Sequence, residues 1–251
     1  MLFTDAILST VADLADYESE IQNMASTEVI NLDTKLRLAQ SELGIELLAT
    51  SVLPDTNRVR NAFTLDQVVV TDALKLWHVF HTLSIVFRDA YNRKLNDKYL
   101  PKWNEYRDLA KTTAGQYLTI GVALVLQPLP APGEPTLTGV AGGSLPATNY
   151  FARTTWVNSA GQESGPSQAV ATVLPDGQLL VIETPAPPSQ AVGWYPYLSS
   201  VSGQEQRQAG APLDLSASWT MPVDGSVSGP SLPSGQPPDM IRTVPRTLQR
   251  G

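Results

Sequence analysis

The chain has two histidines, His78 and His81, and no cysteine. Three residues apart on a helix, the two imidazoles would share a side and could face one ligand. A helical metal pair more commonly uses i, i+4 spacing or a Glu-x-x-His companion, and Asp89 is too far along to take that place. A third ligand is lacking, so both read as buried or interfacial histidines. The missing cysteines exclude thiolate zinc sites, disulfide staples and cysteine nucleophiles. Ser159 and Glu163 lie in the turn-like stretch SAGQES, but no histidine occurs in that part of the chain to complete a triad. The glycine run GVAGGS at 139–144 is followed by no Lys-Ser/Thr and opens no helix, so it reads as a strand-end turn rather than a phosphate loop. The carboxylates are scattered at helix-surface spacing, and without a cleft no two of them stand out as a glycosidase pair. We expect no enzyme, no catalytic residues, no cofactor and no metal. Three cations do form a pattern: Arg242, Arg246 and Arg250 recur every fourth residue, with Pro245 between the first two. Pro245 argues against one continuous helix. The three arginines are the candidate partner-binding residues, on a peptide that inserts into an acidic groove or continues a partner's sheet. The bland alternative is an inert terminus.

The elements that must position these residues change character near residue 127. Residues 1–127 contain the prolines Pro54 and Pro101, and the other 18 of the 20 prolines follow. Glycine rises in the same way, and no lysine occurs after Lys111. Helices exclude proline from their interiors, whereas short strands are joined by Pro/Gly turns. Two modules in series are the simplest reading. Net charge is −7, and the seven acids of residues 1–34 are matched by no base. An acidic chain is a poor general nucleic-acid binder. The polarity suits either head-to-tail contacts between identical subunits or ordinary solvated helix faces. The longest apolar run, YLTIGVALVL at 117–126, is about half the length needed to span a bilayer. The start MLFTDAILST lacks a basic leader, so neither a signal peptide nor a membrane protein is expected.

Over 1–126 the pattern predicts a bundle of about four helices. Thr4 would cap the first, with Ile7, Val11, Leu14 and Ile21 on one face and a turn near 25–27. The second would start near Asn31 or Asp33, carry Leu36, Leu43 and Leu47 in a stripe broadened by Ala39, Ile45 and Leu48, and stop at Pro54. A long helix capped at Thr64 or Thr71 has two apolar stripes, one through Val70, Leu74, Trp77, Phe80, Phe87, Tyr91 and Leu95, the other through Leu76, Val79, Leu83, Val86 and Ala90. Pro101 would open the next helix, which carries Trp103, Tyr106 and Ala110 and ends near Gly115. Residues 117–126 would form a strand or extended arm, and 127–135 a semi-rigid Pro-rich linker. About seven strands are predicted over 136–221, near 136–140, 149–158, 168–174, 179–184, 192–199, 204–208 and 216–221, as a β-sandwich cored by Trp156, Trp194 and Trp219. Asn158–Gly161 would be a turn and Asp176-Gly177 a hairpin turn. Residues 222–238 read as low-complexity linker and 240–251 as a tail that orders on binding.

The stretch LPATNYFARTTWVNSAGQESGPSQAVATV (145–173), with LLVIETPAPPSQAVGWYPYLS (179–199) and SWTMP (218–222), resembles the immunoglobulin/fibronectin-like modules of tailed-bacteriophage virion proteins. The aromatic second strand, the N-S-A-G-x-E-S turn and Gly193-Trp194 carry the likeness. Tyr195-Pro196-Tyr197 departs from that pattern, and Pro196 would place its strand at an edge or a bulge. The helical half resembles, in its order of elements only, the head–tail connector adaptors that form a ring beneath the phage portal. The resemblance implies a fold with an N-terminal helical bundle, a seven-stranded Ig/fibronectin-like β-sandwich and an extended C-terminal tail. It implies a structural virion protein of the neck, assembled in the host bacterial cytoplasm. Its partners would be further copies in a cyclic homo-oligomer, a dodecamer by analogy, then the portal protein, tail or nozzle proteins, and capsid or fibres through the β-sandwich. DNA would pass without sequence-specific binding. The alternatives are a tail or fibre component whose β-sandwich binds a host-surface glycan, supported by exposed aromatics, and a carboxylate-based hydrolase.

Overall fold

The computed structural model describes residues 1–51, 63–95 and 97–243. Helices come first and antiparallel strands follow, in a mixed α+β chain. Two compact units divide it. Ala6–Leu126 and the segment from Pro238 make up one, and Met1–Asp5 with Gln127–Pro237 make up the other. The chain thus crosses between units three times, after Asp5, Leu126 and Pro237.

The helical unit contains α1 (Val11–Ala15), α2 (Ile21–Thr27), α3 (Leu32–Ser51), α4 (Asp72–Lys94) and α5 (Leu100–Ile120). The first helix begins later than expected. Its cap is Thr10, which forms a reciprocal capping box with Asp13. Thr4 is unavailable because Met1–Asp5 belong to the other unit. The turn expected at 25–27 is the last turn of α2, and the chain reverses at Val29, whose φ is +52°. α3 starts as expected, with the Asn31 side chain accepting the Thr34 amide at 2.9 Å. The expected stop at Pro54 lies outside the described residues. Thr71 caps α4, and Thr64 caps the short 3-10 turn Leu65–Gln67 instead.

Both stripes of α4 are buried in their middle, through Leu74, Trp77, Phe80 and Phe87 and through Val79, Leu83, Val86 and Ala90. Leu76 and Tyr91 are half-buried, Val70 precedes the helix, and Leu95, at its C-cap, is exposed, as are Ile45 and Leu48 of α3. The helix packs against both α3 and α5, as two apolar faces require. Pro101 sits in the first turn of α5, where its missing N–H costs nothing. The helix does not stop near Gly115. Its next turn buries Tyr117, whose ring meets Trp77 at 5.9 Å between centroids, and that contact outweighs the β-branched composition of 118–125. Gly121, at φ +108°, ends α5, and only then does the chain extend as β1 (Val122–Leu124). The expected arm is therefore shorter than predicted.

The other unit contains β2 (Thr136–Ala141), β3 (Thr148–Asn158), β4 (Val170–Leu174), β5 (Gln178–Glu183), β6 (Ala191–Ser199), β7 (Gln206–Arg207) and β8 (Trp219–Thr220). They form two antiparallel sheets, ordered β2-β5-β8 and β4-β3-β6-β7. Inward residues of both sheets share one cluster that includes Trp156, Leu180, Ile182, Trp194, Leu198 and Trp219. β9 (Met240–Arg242) returns to the helical unit.

Three local expectations for this unit change. Pro175-Asp176-Gly177 is a turn, but β4 and β5 lie in different sheets, so it joins sheets rather than closing a hairpin. β6 is an interior strand despite Pro196. Thr154, opposite Pro196, directs both backbone groups to Ser167 instead of β6, so no ladder bond to β3 is lost there. On the other side the Pro196 carbonyl still accepts the Gln208 amide at 2.8 Å. Finally, the Pro-rich stretches expected as linkers are packed. Leu129 is wholly buried in the shared cluster. Residues 226–231 run along β7, held by the Gln208 side chain, which donates to the Val227 carbonyl at 2.9 Å and accepts the Val227 amide at 2.8 Å. Gln236 is buried and accepts the Leu129 amide at 3.0 Å.

Candidate functional site

The one sequence-predicted site residue that the structure describes, Arg242, ends β9. Arg246 and Arg250 lie outside the described residues. β9 pairs antiparallel with β1, in the register Val122–Arg242, Ala123–Ile241 and Leu124–Met240. On its other side β1 exchanges backbone bonds with Gln67 and Val69, each at 2.9 Å. Asp239 fixes the entry to β9: its amide donates to the Leu124 carbonyl at 2.9 Å, and its carboxylate accepts the Leu126 amide at 2.8 Å. Gly121 makes the approach possible, because a Cβ there would stand 2.8 Å from the Arg242 carbonyl oxygen. The Arg242 guanidinium lies 5.7 Å from the centre of the Phe63 ring, within cation–π range.

A cavity of about 440 Å³ opens here, lined by Phe63, Gln67, Leu124, Leu126, Met240 and Arg242. Leu126, Met240 and Ile241 expose 65, 45 and 58% of their surface. An apolar wall with one guanidinium and two short strands has the means to hold a peptide or an apolar side chain. Among the described residues it presents no nucleophile–base pair.

The histidines take separate roles. His78 is buried, with Ser9 Oγ 2.7 Å from Nδ1 and the Leu36 carbonyl 2.9 Å from Nε2. Nε2 must donate to that carbonyl, so Nδ1 accepts the Ser9 hydroxyl proton. Burial pushes its pKa down to about 4, against the smaller opposing effect of the Leu36 bond. Although Ser9 and His78 look like a dyad, both are buried, and the pair is a structural bond. His81 instead meets Glu42 at 2.6 Å and is part-exposed. Among the described residues no group of three His, Cys, Asp or Glu could hold a metal ion.

The acidic N-terminal third is largely bonded within its own unit. Asp13 meets Lys75 at 2.7 Å and Glu18 meets Lys102 at 3.0 Å. Burial opposes ionisation of Asp13, yet hydrogen bonds from Lys75 and Thr10 hold its carboxyl below the usual range. The Tyr106 hydroxyl donates to Glu18 at 2.9 Å.

In the strand unit, Glu163 accepts from Thr155 at 3.0 Å, Tyr197 at 2.7 Å and Arg207 at 3.2 Å. Burial first, and then the Glu163 carboxylate, raise the Tyr197 phenol well above its usual pKa. Ser159 is exposed in the turn, and the Glu163 carboxylate is bonded elsewhere. The amides of Gly142 and Gly143 both donate to the Gly177 carbonyl, so that glycine run cradles its own chain. Tyr150, Trp156, Trp194, Tyr195, Tyr197 and Trp219 are buried, and Phe151 is half-buried.

Sequence reasoning missed the pairing of β1 with β9. The signal was present as two short runs, VALVL and DMIR, but they stand more than a hundred residues apart, beyond any periodicity. Among the described residues no helix is long and apolar enough to cross a membrane. No protein-family model matches the chain, and no curated protein matches it.

Proposed function

We propose that this chain is a structural assembly protein of a tailed-phage virion. In this reading it is a head–tail adaptor whose helical unit forms a cyclic homo-oligomer, a dodecamer by analogy, joining portal to tail and extending the DNA channel. The strand unit is then an immunoglobulin/fibronectin-like module in seven strands, displayed towards capsid or fibres. The observation that carries the reading is the return of the chain to its helical unit: after the strand unit, β9 pairs with the strand that follows α5 and brings Arg242 there. Exposed apolar residues at that place, Leu126, Met240 and Ile241, suit burial against a neighbouring subunit or a portal. Acidic groups facing a channel would let DNA slide by repelling it.

The mass of the particle in solution, alone and with a purified portal, tests the proposal. A ring that binds portal is expected. A stable monomer that ignores portal would overturn it.

A further inference from the structure

The two sheets of the strand unit have four edges, and the chain treats them differently. β7 is covered: its Arg207 amide donates to the Pro230 carbonyl at 2.9 Å, and Gln206 bridges to Ser231. β8 is only 2 residues long. That leaves β2, with 6 residues, and β4, with 5. Edge strands are ready templates for pairing, and proteins usually blunt them with charge, proline, bulges or a covering segment. Among the described residues β4 has none of these. No charged residue occurs between Glu163 and Asp176, and no proline interrupts Val170–Leu174. Its only strand partner among the described residues is β3, in an unbroken register from Thr148–Leu174 to Ala152–Val170. Val173 is 70% exposed and Ala171 is exposed beside it. β2 is the weaker template, since it ends in a glycine turn whose amides already bond Gly177.

We propose that the outer edge of β4 is an interface with β4 of a second copy of this chain. Charge selects the occupant. A charged strand would leave its ions beside apolar, uncharged neighbours, whereas β4 offers itself an uncharged match. The sequence Val-Ala-Thr-Val-Leu is self-complementary about a two-fold axis through Thr172. Val170 then faces Leu174 of the second copy, and Ala171 faces Val173, so each exposed apolar residue gains a neighbour on its own face. The two four-stranded sheets become one sheet across both molecules. This contact is independent of a ring formed by the helical unit, since it uses a different unit and a two-fold operator.

The absence of cysteine makes the test clean. Directly opposite residues of an antiparallel pair have Cα atoms about 4.5–5.5 Å apart, within disulfide reach. Full-length Thr172→Cys should therefore form a disulfide-linked dimer under mild oxidation, while Val192→Cys, exposed on β6, should not. Adding Val173→Lys should abolish the cross-linked dimer. Should Thr172→Cys fail to fold, mixing Ala171→Cys with Val173→Cys, both at exposed positions, should yield the mixed dimer. Cross-linking at these positions no faster than at position 192, in folded protein, would overturn the proposal. A ring without β4 cross-linking would sink this inference and leave the adaptor reading standing, and cross-linked dimers without rings would do the reverse.

Discussion

The helical unit and the strand unit solve the burial of backbone in different ways. In the helical unit, backbone groups bond within each helix, and cohesion comes from apolar faces: α4 is buried along two stripes, and the Phe87 and Tyr106 rings stack at 5.5 Å. In the strand unit, polar side chains stand in for missing strands. Ser164 Oγ and Ser167 Oγ accept the Trp156 and Thr154 amides at 3.0 and 3.1 Å, and Gln208 and Gln236 clamp chain that has no ladder of its own. Local periodicity is enough to build the first kind of unit. The second needs single residues to find partners far away in sequence.

The largest expected effect would test whether the units are energetically separate. Trp77→Ala and Trp194→Ala each remove a buried indole and should each cost about 3–5 kcal/mol. Calorimetry should show Trp77→Ala lowering the transition of the helical unit and Trp194→Ala that of the strand unit. Equal shifts of a single transition would erase the distinction.

Acid should act on the helical unit in particular. Unfolded His78 gains a proton near pH 6.5, whereas the buried imidazole resists until about pH 4. Between those values the unfolded chain holds more protons, so falling pH favours unfolding, by about 3 kcal/mol once pH 4 is reached. Urea midpoints followed by signals from each unit would check this. A helical-unit midpoint that does not fall between pH 6.5 and 4 would mean that His78 is not buried in neutral form.

The strand unit should be sensitive to its amides. Gln208→Ala leaves the Val227 amide and carbonyl without their partner and should cost about 1–3 kcal/mol, with faster hydrogen exchange at Val227. Unchanged exchange would show that the segment along β7 needs no clamp.

The smallest effect runs towards greater stability. Leu95 caps α4 at φ +46° and is 72% exposed. Leu95→Gly should relieve about 1 kcal/mol of left-handed strain and raise the helical-unit midpoint. A lower midpoint would show that the leucine makes a contact worth more than its strain.

The same contrast explains what was legible. The stripes of α4, the start of α3, Pro101 in the first turn of α5 and the three buried tryptophans follow from spacing and residue type alone. The end of α5 was not legible, because Tyr117 is helical for the sake of Trp77, forty residues earlier. Pro196 misled because its tolerance depends on where Thr154 sends its backbone bonds. Residues 222–237 look like a linker by composition, and bonds from Gln206, Arg207, Gln208 and Gln236 make them part of a fold. For the candidate site, Arg242 was singled out by charge and spacing, while Gly121, Asp239 and β1 belong to it through contacts that no local pattern encodes.

The three chain crossings also impose a timetable. Residues Met1–Asp5 leave the ribosome long before the strands they join, which start beyond Gln127. At about 5–20 residues per second, that wait lasts on the order of ten seconds. β1 waits in turn for β9, which emerges only after the whole strand unit has been made. The β1–β9 ladder of the helical unit therefore closes only after the strand unit has been made, and a chain cut short before Met240 would carry a finished strand unit and an unfinished helical one.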